Sequence, residues 1–177
     1  MFIRWLVVLS LLFLVRVSLA ADPGASHYRL GTGDVISVAV FDEKELSLEK
    51  IRLGDSGVVS YPMLGDIQVK GLTVLELQQK VTTGLKAYLI NPQVTILVDQ
   101  YRDFFINGQV NKPGNYPYQP GLTVRKAVSI AGGFKDRADK DTFVIVRESH
   151  DKQAPVKGNQ GTLLEPGDIV TVEESFF

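Results

Sequence analysis

Few residues in this 177-residue chain have the type and spacing to do chemistry. Without cysteine there is no thiol nucleophile and no thiolate metal ligand. The two histidines, His27 and His150, lie far apart, and the second sits in a polar stretch with Glu148, Asp151 and Lys152. Neither has metal-ligand spacing, so both read as solvated surface residues. There is no Gly-x-Ser-x-Gly elbow to expose a serine nucleophile. Gly31-Thr32-Gly33 suggests a dinucleotide loop, but Val35-Ile36-Ser37-Val38 continues as a strand where phosphate binding needs a helix N-terminus. Asp34 and Asp168 are candidates for the paired carboxylates of glycoside cleavage, yet each has a sufficient local role in its own turn. Tyr101, Phe104, Tyr116 and Tyr118 offer rings for stacking on a sugar, and the same rings would serve a small β-rich core. The expectation is a non-enzyme with no catalytic, cofactor-binding or metal-binding residues.

Two short repeats organise the elements that must position these groups. Leu30-Gly31-Thr32-Gly33-Asp34-Val35-Ile36-Ser37-Val38 is echoed by Leu164-Glu165-Pro166-Gly167-Asp168-Ile169-Val170-Thr171-Val172. Each reads as a turn feeding a strand: glycine supplies a permissive backbone, aspartate bonds nearby amides, and β-branched residues carry the pleat. Gly71-Leu72-Thr73-Val74 and Gly121-Leu122-Thr123-Val124 each open a helix. Thr73 with Glu76 forms a capping box, Val74, Leu77, Val81 and Leu85 line one face, and Asn91-Pro92 stops the element. The second helix, Val124–Ala131, ends at Gly132-Gly133, and Lys126 leaves its box incomplete. Strand-like runs fall at 35–41, 47–53, 57–61, 67–69, 94–99, 103–109, 142–147 and 168–173, so short strands outnumber helices and the fold class is α+β. Asp42-Glu43-Lys44-Glu45 and Lys135–Asp141 are mixed charge runs that read as solvated loops. Lys112-Pro113-Gly114 reads as a hairpin turn with proline setting φ and Gly114 in the positive-φ place.

Nineteen Lys plus Arg against twenty Asp plus Glu, 45% hydrophobic residues, and modest counts of eight Pro and sixteen Gly describe a globular chain. A net charge of −1 supplies no general attraction to nucleic acid. Met1–Arg4 carries one positive charge, Trp5–Val15 is apolar apart from Ser10, and Ser18-Leu19-Ala20 fits a cleavage site. Residues 1–20 therefore read as a secretory signal peptide cleaved after Ala20, with cleavage after Ala21 the weaker variant and an uncleaved membrane anchor the alternative. An eleven-residue helix reaches roughly 16 Å against a hydrocarbon core of about 30 Å. With no cysteine to follow the cleavage site, lipid anchoring is not expected.

In order and spacing, the segments Tyr28–Val38, Gly57–Gly65 (with Pro62), Gly71-Leu72-Thr73 and Asn91-Pro92-Gln93-Val94 resemble the polysaccharide biosynthesis/export domain of Wza-type exporters. Ile106–Pro117 (with Gly108, Pro113 and Gly114), Gly121-Leu122-Thr123 and Ala131-Gly132-Gly133-Phe134 are similar to one SLBB unit, a β-grasp domain. The motif residues that carry this resemblance are Gly33, Asp34, Pro62, Gly65, Gly71, Thr73, Asn91, Pro92, Gly108, Pro113, Gly114, Gly121, Thr123, Gly132, Gly133, Gly167 and Asp168. The division expected is a signal peptide at 1–20, an export domain at 27–100 and an SLBB domain at 101–175.

The resemblance implies a periplasmic, non-catalytic component of capsule or exopolysaccharide export, unlipidated and at most peripheral to the outer membrane. It implies a homo-oligomeric ring, an inner-membrane polysaccharide copolymerase and a separate outer-membrane β-barrel protein as partners, with polysaccharide as cargo and no cofactor. Exporters of this type carry a lipidated cysteine, further SLBB-like units and a C-terminal amphipathic helix. None of these is read here: the residues after Gly167 alternate as a strand ending in Phe176-Phe177, which cannot span lipid alone. A glycan- or ligand-binding β-grasp module without a conduit role is the alternative reading.

Overall fold

The computed structural model describes residues 28–147 and 155–175. The proposed cleavage site at Ala20 and Ala21, both histidines, and Phe176-Phe177 lie outside the described residues.

The first half is built around a three-stranded antiparallel sheet of order β2-β1-β5, with β1 at Val35–Val40, β2 at Leu48–Arg52 and β5 at Val94–Gln100. A separate hairpin pairs β3, Val58–Tyr61, with β4, Gly65–Gln68. Helix α1, Val74–Leu85, starts where the capping box places it: the Thr73 hydroxyl accepts from the Glu76 amide at 3.2 Å, and the Glu76 carboxylate accepts from the Thr73 amide at 2.7 Å. Leu77, Val81 and Leu85 are buried at helical spacing, and they share a core with Ile36, Val38, Tyr61, Ile67 and Ile96. The spacing of apolar residues thus decides which helix face meets the sheet.

The second half is a mixed five-stranded sheet of order β7-β6-β10-β8-β9. Its strands are β6 Phe104–Gly108, β7 Gly114–Tyr116, β8 Ala138–Val146, β9 Val156–Gly158 and β10 Ile169–Glu174. The central pair β6 and β10 is parallel, with Ile169 opposite Phe105 and Val172 opposite Gly108. Helix α2, Val124–Ile130, closes one face, where Val124, Ala127 and Val128 pack with Phe104, Ile106, Phe143, Ile145, Val170 and Val172. The Gly133 amide bonds the Val128 carbonyl at 2.9 Å past the helix end, with Gly132 at φ 80°. Two helices and several sheets make an α+β fold, in which a strand-rich chain encloses two separate cores.

Several local expectations change. Helix α1 stops at Leu85, well before Asn91-Pro92, where the bonding tightens to three-residue spacing: the Ala87 amide returns to the Gly84 carbonyl and the Tyr88 amide to the Leu85 carbonyl. Asn91 then reverses the chain at φ 53°. The hairpin strand expected at 67–69 lies at Gly65–Gln68, and β7 and β9 have no counterpart among the expected strands because three residues are too few to show alternation. The run Lys135–Asp141 is only partly loop. Ala138 is buried and starts β8, paired with Glu174 beyond a bulge, and an Arg137–Glu174 ion pair of 3.3 Å flanks it. The 42–45 run leads into a 3-10 turn, Lys44–Leu46, that buries Leu46. Gly114 does not hold the positive-φ place; it begins β7 as extended backbone, and the positive φ falls at Gly108, 84°.

Candidate functional site at the junction of the two halves

The sequence repeat is also a structural repeat. Asp34 accepts the Gly31 amide on Oδ2 at 2.8 Å, and Asp168 accepts the Glu165 amide on Oδ2 at 2.8 Å. Both aspartates are fully buried, and each precedes the strand that centres its sheet region. An aspartate that caps the amide three residues back tightens a turn that glycine leaves permissive.

The other groups around the two carboxylates differ. Asp34 Oδ1 accepts the Arg102 amide at 2.8 Å, its Oδ2 accepts the Tyr28 hydroxyl, and the Arg102 guanidinium lies 3.4 Å away. The same Arg102 Nη1 donates to the Tyr28 hydroxyl at 2.6 Å, and its guanidinium sits 5.5 Å from the centre of the Tyr28 ring. Burial raises the Tyr28 phenol, and its hydrogen bond to Asp34 raises it further. Asp168 has no such closure. Its Oδ1 and the Arg147 Nε lack hydrogen-bond partners among the described residues, and Nε stands 4.0 Å from Oδ2. Arg147 spends its other nitrogens on Glu165 at 2.7 Å and the Leu163 carbonyl at 3.2 Å. Burial pushes the Asp168 carboxyl up to about 6.

An aromatic chain crosses the junction. Tyr101 meets Tyr28 edge-on at 5.1 Å between ring centres and Tyr118 edge-on at 5.5 Å. The four rings singled out in the sequence are thus structural in their packing. Phe104 is fully buried with Tyr116 stacked on it at 5.9 Å, and Tyr101 and Tyr118 belong to the chain across the junction.

Beside that chain opens a cleft of about 430 Å³. Its lining combines Thr32, Gly33 and Arg52 from the first half, the linking residues Gln100, Tyr101, Arg102 and Asp103, and Phe105 and Gly167 from the second half. Gly33 and Gly167, the glycines of the two repeats, therefore face the same space. Asp34 and Asp168 do not line it, so the paired-carboxylate arrangement is not assembled there: each carboxylate is turned into its own loop. Gly31-Thr32-Gly33 feeds β1 and no helix, as the run of β-branched residues requires.

The remaining motif residues lie at turns and element ends. Pro62 sits in the β3–β4 turn and Gly65 opens β4, Gly71 and Thr73 come before α1, and Asn91 and Pro92 before β5. Gly108 ends β6, Pro113 and Gly114 enter β7, and Gly121 and Thr123 precede α2, where Thr123 accepts the Lys126 amide at 3.4 Å. The Lys126 ammonium turns instead to the Gly121 carbonyl at 3.0 Å. Arg52, Gln100, Arg102 and Phe105 were not marked by the sequence. The only available signal for Phe105 was the pleat: neighbours in a strand face opposite ways, so one of Phe104 and Phe105 had to point outward. Among the described residues no group of acidic or histidine side chains has the makings of a metal site, and no helix is long and apolar enough to cross a membrane.

Comparison with known proteins divides the chain at the same junction. The family model for polysaccharide biosynthesis/export proteins matches residues 22–99, and the SLBB domain model matches residues 104–157. The exopolysaccharide production protein ExoF of Rhizobium meliloti is 36% identical over 146 residues, covering 74% of this chain and 34% of that protein. The EPS I polysaccharide export outer membrane protein EpsA of Ralstonia nicotianae is 27% identical over 183 residues, covering 85% of this chain and 48% of its own length. The protein of the same name from Ralstonia solanacearum is 28% identical, with 84% and 48% covered. The chain thus spans between a third and a half of the length of these relatives. With both segments matched in sequence order and separated only by Gln100–Asp103, the chain belongs to the Wza-type polysaccharide biosynthesis/export family, with one export domain followed by one SLBB domain.

Proposed function

We propose that this chain is a non-catalytic component of exopolysaccharide or capsule export, acting in the periplasm as part of the conduit toward the outer membrane. Residues 1–20 direct it across the inner membrane and are removed after Ala20. The mature chain, with its export domain at 27–100 and SLBB domain at 101–175, is unlipidated and at most peripheral to the outer membrane. It assembles into a homo-oligomeric ring that receives polymer from an inner-membrane polysaccharide copolymerase and hands it to a separate outer-membrane β-barrel protein. The motif residues act structurally, by shaping turns, caps and the domain junction.

The observation that carries this reading is the ordered pair of family matches over 22–99 and 104–157, together with relatives named for exopolysaccharide production and export. The geometry supports a structural part: both turn aspartates, Asp34 and Asp168, are committed to backbone amides. Deleting the gene and measuring polymer outside the cell tests it. Loss of surface and released polysaccharide, restored by the chain in trans, is expected; wild-type amounts in a strain without a paralogue would refute the proposal.

A further inference from the structure

We infer that the cleft between the two domains is a saccharide-binding site, with the Phe105 ring as the platform for one pyranose unit. The Phe105 side chain alternates with buried Phe104 and Ile106 and is 47% exposed on the open face of the sheet, at the cleft wall. Single exposed apolar residues are common on protein surfaces, but this ring lies in the lining of a polar cleft, where a ligand can reach its face. The polar groups around it are in large part uncommitted. The Thr32 hydroxyl, the Gln100 carboxamide and the Tyr101 hydroxyl make no hydrogen bond among the described residues. Arg52 gives one nitrogen to the Gly33 carbonyl at 3.0 Å and keeps further donors, and Asp103 accepts one bond from Asn115 at 2.7 Å and keeps acceptor capacity.

This combination selects a ligand class. A pyranose offers one apolar C–H face and a rim of hydroxyls, each of which both donates and accepts. A half-exposed ring answers the first, and planar carboxylate, carboxamide and guanidinium groups answer the second. An apolar ligand would leave these polar groups desolvated and unpaired. The Asp103 carboxylate, set beside Arg52 and Arg102, offers an acceptor to which a sugar hydroxyl can donate and an ionised phosphate cannot. At about 430 Å³ the cleft falls within the roughly 300–1,000 Å³ usual for small-ligand sites. It is open to solvent, so an internal unit of a polymer can lie across it.

The identity of the ligand rests on the export reading above, and the test separates the two. The probe is a set of oligosaccharides made by partial acid hydrolysis of the extracellular polysaccharide of the cells that encode this chain. Saturation-transfer NMR and titration calorimetry on the full-length mature protein are expected to show binding. Phe105→Ala should weaken it about tenfold, and Gln100→Ala to a lesser extent. Unchanged thermal unfolding of both variants keeps a folding defect apart from a lost contact, and Leu97→Ala, on an exposed strand position of the other sheet, should leave affinity unchanged. No transfer at millimolar oligosaccharide, or equal affinity in Phe105→Ala, overturns the site. A gene deletion that abolishes export alongside either of those results would sink the site and leave the export role standing; binding that depends on Phe105 with normal export in the deletion strain would do the reverse.

Discussion

The backbone amide of Arg102 lies 2.8 Å from Asp34 Oδ1 across 68 positions of sequence. The turn that opens the first domain is therefore closed by the segment that leads into the second. Removing the carboxylate strands its donors: the Gly31 and Arg102 amides, the Tyr28 hydroxyl and the Arg102 guanidinium all lose an acceptor in a buried place. Asp34→Ala should cost about 3–5 kcal/mol, read from urea unfolding. A loss below about 1 kcal/mol would mean that water replaces the carboxylate at no penalty.

Asp168 governs a pH dependence of the opposite kind to that of a salt-bridged carboxylate. Its folded pKa of about 6 lies above the usual 3.8, so the folded protein holds this proton more tightly than the unfolded chain does. That contribution is present at acid pH and is lost as pH rises from about 4 to about 6, with a limit of about 3 kcal/mol. Asp168→Asn keeps an acceptor for the Glu165 amide and carries no charge. Its stability relative to the parent should therefore climb between pH 4 and pH 7 in a series of denaturant midpoints; a flat difference contradicts the burial argument.

Gly108 faces the closest backbone approach at any glycine of the sheet. A Cβ there would lie 2.1 Å from the Val172 carbonyl oxygen, at a φ of 84°. Because Val172 belongs to the parallel partner strand β10, relief requires moving the strand. Gly108→Ala should cost about 2–4 kcal/mol. Gly121→Ala, with a similar φ of 78° and nothing within 4 Å, should cost about 1–2 kcal/mol. Chemical denaturation of the two variants side by side separates steric contact from backbone strain, and equal losses would show that contact adds nothing.

The two helix caps differ in the same experiment. Thr73 belongs to a reciprocal box, whereas Thr123 makes a single long bond of 3.4 Å to the Lys126 amide. Thr73→Ala should lose about 1 kcal/mol and Thr123→Ala a smaller amount. Amide exchange at residues 74–77 should quicken in the first variant only within α1; unaltered protection there would show that packing, not the cap, holds the helix start.

Short-range features were legible because their causes lie within a few residues. The two Gly-Asp turns, the capping box of Thr73 and Glu76, and the buried face of Leu77, Val81 and Leu85 all follow from local hydrogen bonding and helical periodicity. The end of α1 was less legible: a proline stop bounds a helix from outside, but the amides of Ala87 and Tyr88, bonded three residues back, ended it sooner. The three-residue strands β7 and β9 exist only through their neighbours β6 and β8.

Residue order alone determined the two helices, the repeated turns, the α+β class and the family, since each depends on propensity, spacing or motif. The pleat requires Phe104 and Phe105 to face opposite ways without saying which faces out. Tertiary structure decided that Phe104 fills the core while Phe105 lines the cleft, that Arg102 closes the Asp34 turn, and that Gly108 must admit Val172. Each of these is a contact between segments far apart in the chain, set by strand register and by the meeting of two cores, and no local propensity encodes where a distant strand will lie.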